Sequence, residues 1–128
     1  MEFDSFVLAA ATADLGDEPA AREHADAVEF RMDLAGDPLA ALEAYGGDLP
    51  LIATNRAEWE GGGAEEPEEA RLATLAAASA HDAVEAVDIE LASIREGPGA
   101  EVAATVRDRG VNVVASVHDF GATPADVA

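Results

Sequence analysis

Short apolar runs alternate along the chain with stretches of helical spacing. Phe6-Val-Leu-Ala-Ala-Ala11 reads as a first strand, although alanine is not a strand former. Asp17-Glu-Pro19 starts a helix with acids in its first turn, expected to run to about Ala25. Val28-Glu-Phe-Arg-Met-Asp33 alternates strictly, so Val28, Phe30 and Met32 face one way and Glu29, Arg31 and Asp33 the other. Asp37-Pro38 caps a second helix that Gly46-Gly47 ends, and Leu51-Ile-Ala-Thr54 is a third strand. Asn55 to Glu66 reads as a polar, mobile loop with three consecutive glycines. Pro67-Glu-Glu then opens a helix whose Leu72, Leu75, Ala76 and Ser79 share a face. Ala86 to Leu91 is a fourth strand, with Val87, Ile89 and Leu91 set against Asp88 and Glu90. A helix near Ala100 to Arg109 carries Val102 and Val106 and stops at Gly110. The fifth strand begins at Val111, ends in Ser116-Val-His118, and is followed by a Thr123-Pro124 helix start.

Strands alternating with helices are the βα repeat of a parallel sheet, either open or closed into a barrel. At 128 residues the chain suits one domain, residues 1–128. A complete (β/α)8 barrel takes roughly 250 residues, so about five βα units, a partial barrel, are expected.

Three strands depart from the apolar rule for both faces of a central α/β strand. One parity carries Glu29, Arg31 and Asp33, then Asp88 and Glu90, then Ser116 and His118, with Arg56 just past the third strand. Mixed charge on neighbouring strands points to a shared polar cavity for a polar or anionic ligand. The alternatives are an internal ion-pair network and edge strands facing water. The arginine fork suits a carboxylate. His118 lies at the carboxyl end of a strand, where such folds place their chemistry, and could abstract a proton if an acid such as Glu90 orients it. It could equally be a hydrogen-bonded core histidine. His24 and His81 sit among acids on helices and read as solvated. No tight metal-ligand spacing occurs, and His118-Asp119 is a weak pair for a metal.

Composition narrows the partners. Lys+Arg 7 against Asp+Glu 27 gives a formal charge of −20, and every basic residue is arginine. Such a charge argues against nucleic-acid and anionic-membrane partners, whose phosphates it would repel. Few aromatics and many acids can mean disorder, but 49% hydrophobic residues in regular runs argue against it. Acids in place of lysines over a normal core suit high salt, which screens the self-repulsion. There is no cysteine for a disulfide or thiolate site. Met1-Glu-Phe-Asp4 lacks a signal peptide's basic flank, and no apolar run nears the ~20 residues of a membrane helix. A soluble, cytoplasmic protein is expected.

Four segments, in order, resemble the type I 3-dehydroquinate dehydratases, (β/α)8 barrels of the shikimate pathway. They are Glu29-Phe-Arg-Met-Asp33, Thr54-Asn-Arg56-Ala-Glu-Trp-Glu60-Gly-Gly62, Val87-Asp-Ile-Glu90-Leu91 and Ser116-Val-His118-Asp-Phe-Gly-Ala-Thr-Pro124. The resemblance implies the amino-terminal portion of such a barrel. It implies a lyase that dehydrates 3-dehydroquinate to 3-dehydroshikimate without metal or organic cofactor, through an imine between a lysine and the substrate ketone. By motif, His118 is the general acid/base, Glu90 orients it, and Glu60 is a supporting acid near the reacting centre. Glu29, Arg31 and Arg56 bind substrate. The family's lysine lies on the next strand and this chain has none, so the chain alone is expected to be inactive. Open sheet edges imply either pairing with another copy or a missing carboxyl half. The competing reading is a non-catalytic half-barrel, acting as a binding or purely structural module.

Overall fold

The structure, a computed structural model, describes residues 8–117. Phe6 and Val7 of the expected first strand, His118, Asp119 and the Thr123-Pro124 helix start lie outside the described residues. Five parallel strands form one sheet in sequence order: β1 (Ala9–Thr12), β2 (Ala27–Arg31), β3 (Leu51–Thr54), β4 (Val84–Glu90) and β5 (Asn112–Ser116). Helices α1 (Glu18–Ala21), α2 (Pro38–Ala44), α3 (Glu68–Ala78), α4 (Leu91–Glu96) and α5 (Pro98–Asp108) fill the connections. Strands added in chain order, each through a helix, make an open arc of a barrel, the partial-barrel architecture expected from the alternation.

The core lies between the sheet and its helices. Val28, Phe30 and Met32 from β2 and its end, Leu51 and Ala53 from β3, and Val87 and Ile89 from β4 pack against Leu72, Leu75, Ala78, Ala103 and Val106. These are the positions of one strand parity and one helix stripe, as the periodicity requires. On α3 the buried stripe is Arg71, Leu72, Leu75 and Ala78, with Ala76 only half-buried. The side chain of Asp37 caps α2 by accepting from Ala40 N at 3.3 Å.

Some expectations are revised. The first helix is a single turn, preceded by a 3-10 turn at Leu15–Asp17. Met32 and Asp33 leave the sheet for another 3-10 turn, Met32–Leu34. Leu91 opens α4 rather than ending β4. Among the described residues β5 is an edge of the sheet, with Val113 and Val114 half-buried and Ala115 exposed. No described helix is long and apolar enough to cross a membrane.

Candidate functional site

Parallel register aligns the polar residues of one sheet face. Arg31 pairs with Thr54, Thr54 with Asp88 and Asp88 with Val114, so three polar side chains share one rung near the carboxyl ends of β2, β3 and β4. Glu29 sits one rung below, beside Ile52, and Glu90 one rung above Asp88, beside Ser116. A one-residue slip in any of these strands would send its charges into the apolar core.

The charges compensate one another. Thr54 Oγ1 donates to Glu29 Oε2 at 2.8 Å. Arg56 Nη2 lies 3.6 Å from Glu29 Oε2 and 3.7 Å from Asp88 Oδ2, with both partners largely sheltered from water. Arg31 is clamped by Asp33, Nε to Oδ1 at 3.0 Å and Nη2 to Oδ2 at 2.7 Å. That fork, helped by the nearby carboxylates of Glu29 and Asp88, holds the guanidinium's pKa above its ordinary value. Burial opposes the charge on Asp33, yet Arg31 and the backbone N–H groups of Gly63 and Arg56 keep its carboxyl below the usual range. The two arginines therefore differ. Arg31 is committed to a bidentate partner, whereas among the described residues Arg56 meets carboxylates only beyond hydrogen-bond length.

A second, buried cluster adjoins the first. Glu90 Oε2 accepts from Ala57 N at 2.9 Å, and Arg71 Nη1 reaches both Glu90 oxygens at 2.9 and 3.1 Å. Glu60, also buried, ends a 3-10 turn, Glu58–Glu60, that Gly61 caps with φ 81°. The segment expected as a mobile loop is tied down throughout. Gly62 N donates to Ala57 O, Ala64 N to Arg56 O and Gly63 N to Asp33 Oδ2. Gly62 is required by space, because a Cβ there would lie 2.2 Å from Arg56 O.

Of the residues singled out in the sequence, the fold brings Glu29, Arg31, Arg56 and Asp88 together and adds Thr54. Glu90 and Glu60 occupy the neighbouring cluster, and His118 lies outside the described residues. His24 is exposed, as expected, whereas His81 is half-buried and accepts from Ala83 N at 3.2 Å. Sequence reasoning missed Arg71, which is 1% exposed. The available signal was an arginine placed beside Leu72 and Leu75 on the apolar stripe of α3.

Comparison with known proteins bears on the family and the fold. Residues 7–127 match the family described as type I 3-dehydroquinase. A 3-dehydroquinate dehydratase of Haloarcula marismortui is 56% identical over 128 residues, which is 97% of this chain and 55% of that protein. One from Halobacterium salinarum is 53% identical over 98% of this chain and 56% of its own length. The crystal structure of 3-dehydroquinate dehydratase from Geobacillus kaustophilus superposes with a TM-score of 0.74 at 26% identity, over 94% of this chain and 53% of that one. The chain thus spans about half the length of the curated relatives it matches.

Proposed function

The chain belongs to the type I 3-dehydroquinase family, and from that membership we propose that its protein dehydrates 3-dehydroquinate to 3-dehydroshikimate. The observation that carries the reading for these residues is the convergence of Glu29, Arg31, Arg56 and Asp88 on one rung-aligned face. Arg56 contacts the substrate, since its fork is held by charge at a distance and can close on a ligand oxygen. Arg31 is braced by Asp33 and supplies a fixed positive field and hydrogen-bonding edge. Glu29 and Asp88 hold both cations in place and offer acceptors for substrate hydroxyls.

His118 acts as general acid/base, removing the proton beside the imine and returning one to the departing hydroxyl. Glu90 is the acid that orients it. An ionised carboxylate has about four lone-pair sites, and the described residues fill three of those on Glu90, leaving one on Oε1. Glu60 shapes the same rim. The imine needs an amine, and these 128 residues hold no lysine, so we place that group elsewhere in the polypeptide. The remaining barrel, or a second copy, closes the edges at β1 and β5. The chemistry uses side chains alone.

Calorimetric titration of the full-length protein with 3-dehydroquinate tests the reading. Saturable binding is expected, weakened at least about tenfold by Arg56→Ala, a loss of about 1.4 kcal/mol. Borohydride with substrate should add mass to the full-length protein but not to residues 1–128 alone. Absence of binding by the unaltered protein would overturn the proposal, and so would an unchanged affinity in Arg56→Ala.

A further inference from the structure

Arg71 lies outside the charged face, yet the backbone that bears Arg56 is built around it. All five of its N–H donors are engaged in the fork geometry that only a guanidinium supplies. Nε donates to Glu68 Oε1 at 3.0 Å, and Nη2 to the same oxygen at 2.7 Å and to Ser93 Oγ at 3.2 Å. Nη1 donates to Asn55 O at 2.9 Å and to Glu90. Asn55 Nδ2 returns a bond to Arg71 O at 3.1 Å. The exposed ring of Trp59 lies 6.0 Å from Arg71 Cζ, within cation–π range.

Two of these contacts bracket Arg56. Asn55, before it, is held through its carbonyl by Arg71; Ala57, after it, is held through its N–H by the Glu90 that Arg71 pairs. With both flanking peptides drawn to one side, the Arg56 side chain projects to the other, toward Glu29 and Asp88. A buried ion pair is a poor source of net stability compared with apolar packing of the same volume. What this one supplies is a fixed direction for its neighbour.

We propose that Arg71 is a positioning residue for substrate binding, acting through Arg56 and never touching the ligand. The proposal rests on the reading of Arg56 given above. If it holds, Arg71→Met in the full-length protein weakens 3-dehydroquinate binding roughly ten- to a hundredfold, the range expected when a binding group is misplaced by about an ångström. The same substitution made in an Arg56→Ala background changes affinity little, because the group it positions is already gone. Trp59 is the single tryptophan of these 128 residues, and the emission it contributes should shift in Arg71→Met without ligand. Arg71→Lys is the second variant. It keeps a cation against Glu90 but loses the fork to Asn55 and Ser93, so weakened binding is expected there too.

Equal weakening in the Arg56→Ala and unaltered backgrounds would overturn the proposal, as would unchanged affinity in both Arg71 variants. Loss of folding in both variants at high salt would also overturn it, by making Arg71 a residue of the fold itself. Failure of the underlying reading looks different: the unaltered protein then shows no binding at all, or Arg56→Ala alone leaves its affinity unchanged.

Discussion

Asn55 and Arg71 hold each other from both sides, Arg71 Nη1 donating to the Asn55 carbonyl at 2.9 Å and Asn55 Nδ2 to the Arg71 carbonyl at 3.1 Å. Sixteen residues separate them, and this latch fastens the start of α3 to the turn that follows β3. Glu90 completes it from the end of β4, so the latch joins three successive parts of the arc.

Removing the Glu90 carboxylate leaves the Arg71 charge buried with one partner fewer. Glu90→Ala is expected to lower unfolding stability by about 3–5 kcal/mol, the range for breaking a buried pair from one side. Glu90→Gln keeps an acceptor and a similar shape, so its loss should be smaller. Denaturant unfolding at fixed high salt measures both, and the order Ala worse than Gln is the outcome that matters.

Gly62 and Gly36 make a matched pair for backbone crowding. A methyl group at Gly62 would meet Arg56 O at 2.2 Å, whereas one at Gly36 meets nothing within 4 Å. Gly62→Ala should destabilise by about 1–3 kcal/mol, as overpacking does, and should weaken substrate binding because the atom displaced belongs to Arg56. Gly36→Ala should be neutral or gain about 0.4–1 kcal/mol from the unfolded state. Thermal unfolding of the two variants beside the unaltered protein decides it.

Acid should expose the role of Glu18. Its buried carboxylate accepts from Arg22 and from the backbone N–H groups of Leu49 and Asp48, and its pKa falls to about 2 from 4.5, led by the Arg22 hydrogen bond. A depressed folded-state value stabilises above the unfolded pKa and is lost as pH falls. The stability gap between the unaltered protein and Glu18→Gln should therefore be full above pH 4.5 and close toward pH 2. Comparing the two cancels the general relief of negative charge on acidification. Tyr45 gives the alkaline counterpart. Burial, with the Glu18 carboxylate nearby, pushes its hydroxyl up to about 12 from 10, so its contribution is present below pH 10 and lost as pH rises through 12.

Salt should act in the opposite sense to its effect on a neutral protein's ion pairs. With a formal charge of −20, self-repulsion dominates in dilute buffer, where the screening length is about 30 Å at 0.01 M and falls to about 3 Å at 1 M. The unfolding midpoint should rise steeply over that interval in a salt titration followed by circular dichroism. The halophilic origin of the relatives accords with this. A flat or falling midpoint would show that the acids are compensated locally.

The alternation of apolar runs and helix starts determined, by itself, the parallel βα repeat and the order of its elements. It also determined which strand parity carries charge, because side-chain direction in a strand follows a period of two whatever surrounds it. That is why Glu29, Arg31 and Asp88 were legible as one set. Tertiary structure alone decided what each charge faces. Arg56 and Asp88 are thirty-two positions apart and meet through parallel register, while Arg31 spends its fork on Asp33 instead. Arg71 was not singled out in the sequence, yet it is the largest of the fully buried side chains among the described residues. Its place on the apolar stripe of α3 could signal burial but not its partners, since Asn55, Glu90 and Ser93 arrive from three separate elements. A long polar side chain is buried only where such distant groups converge to satisfy it.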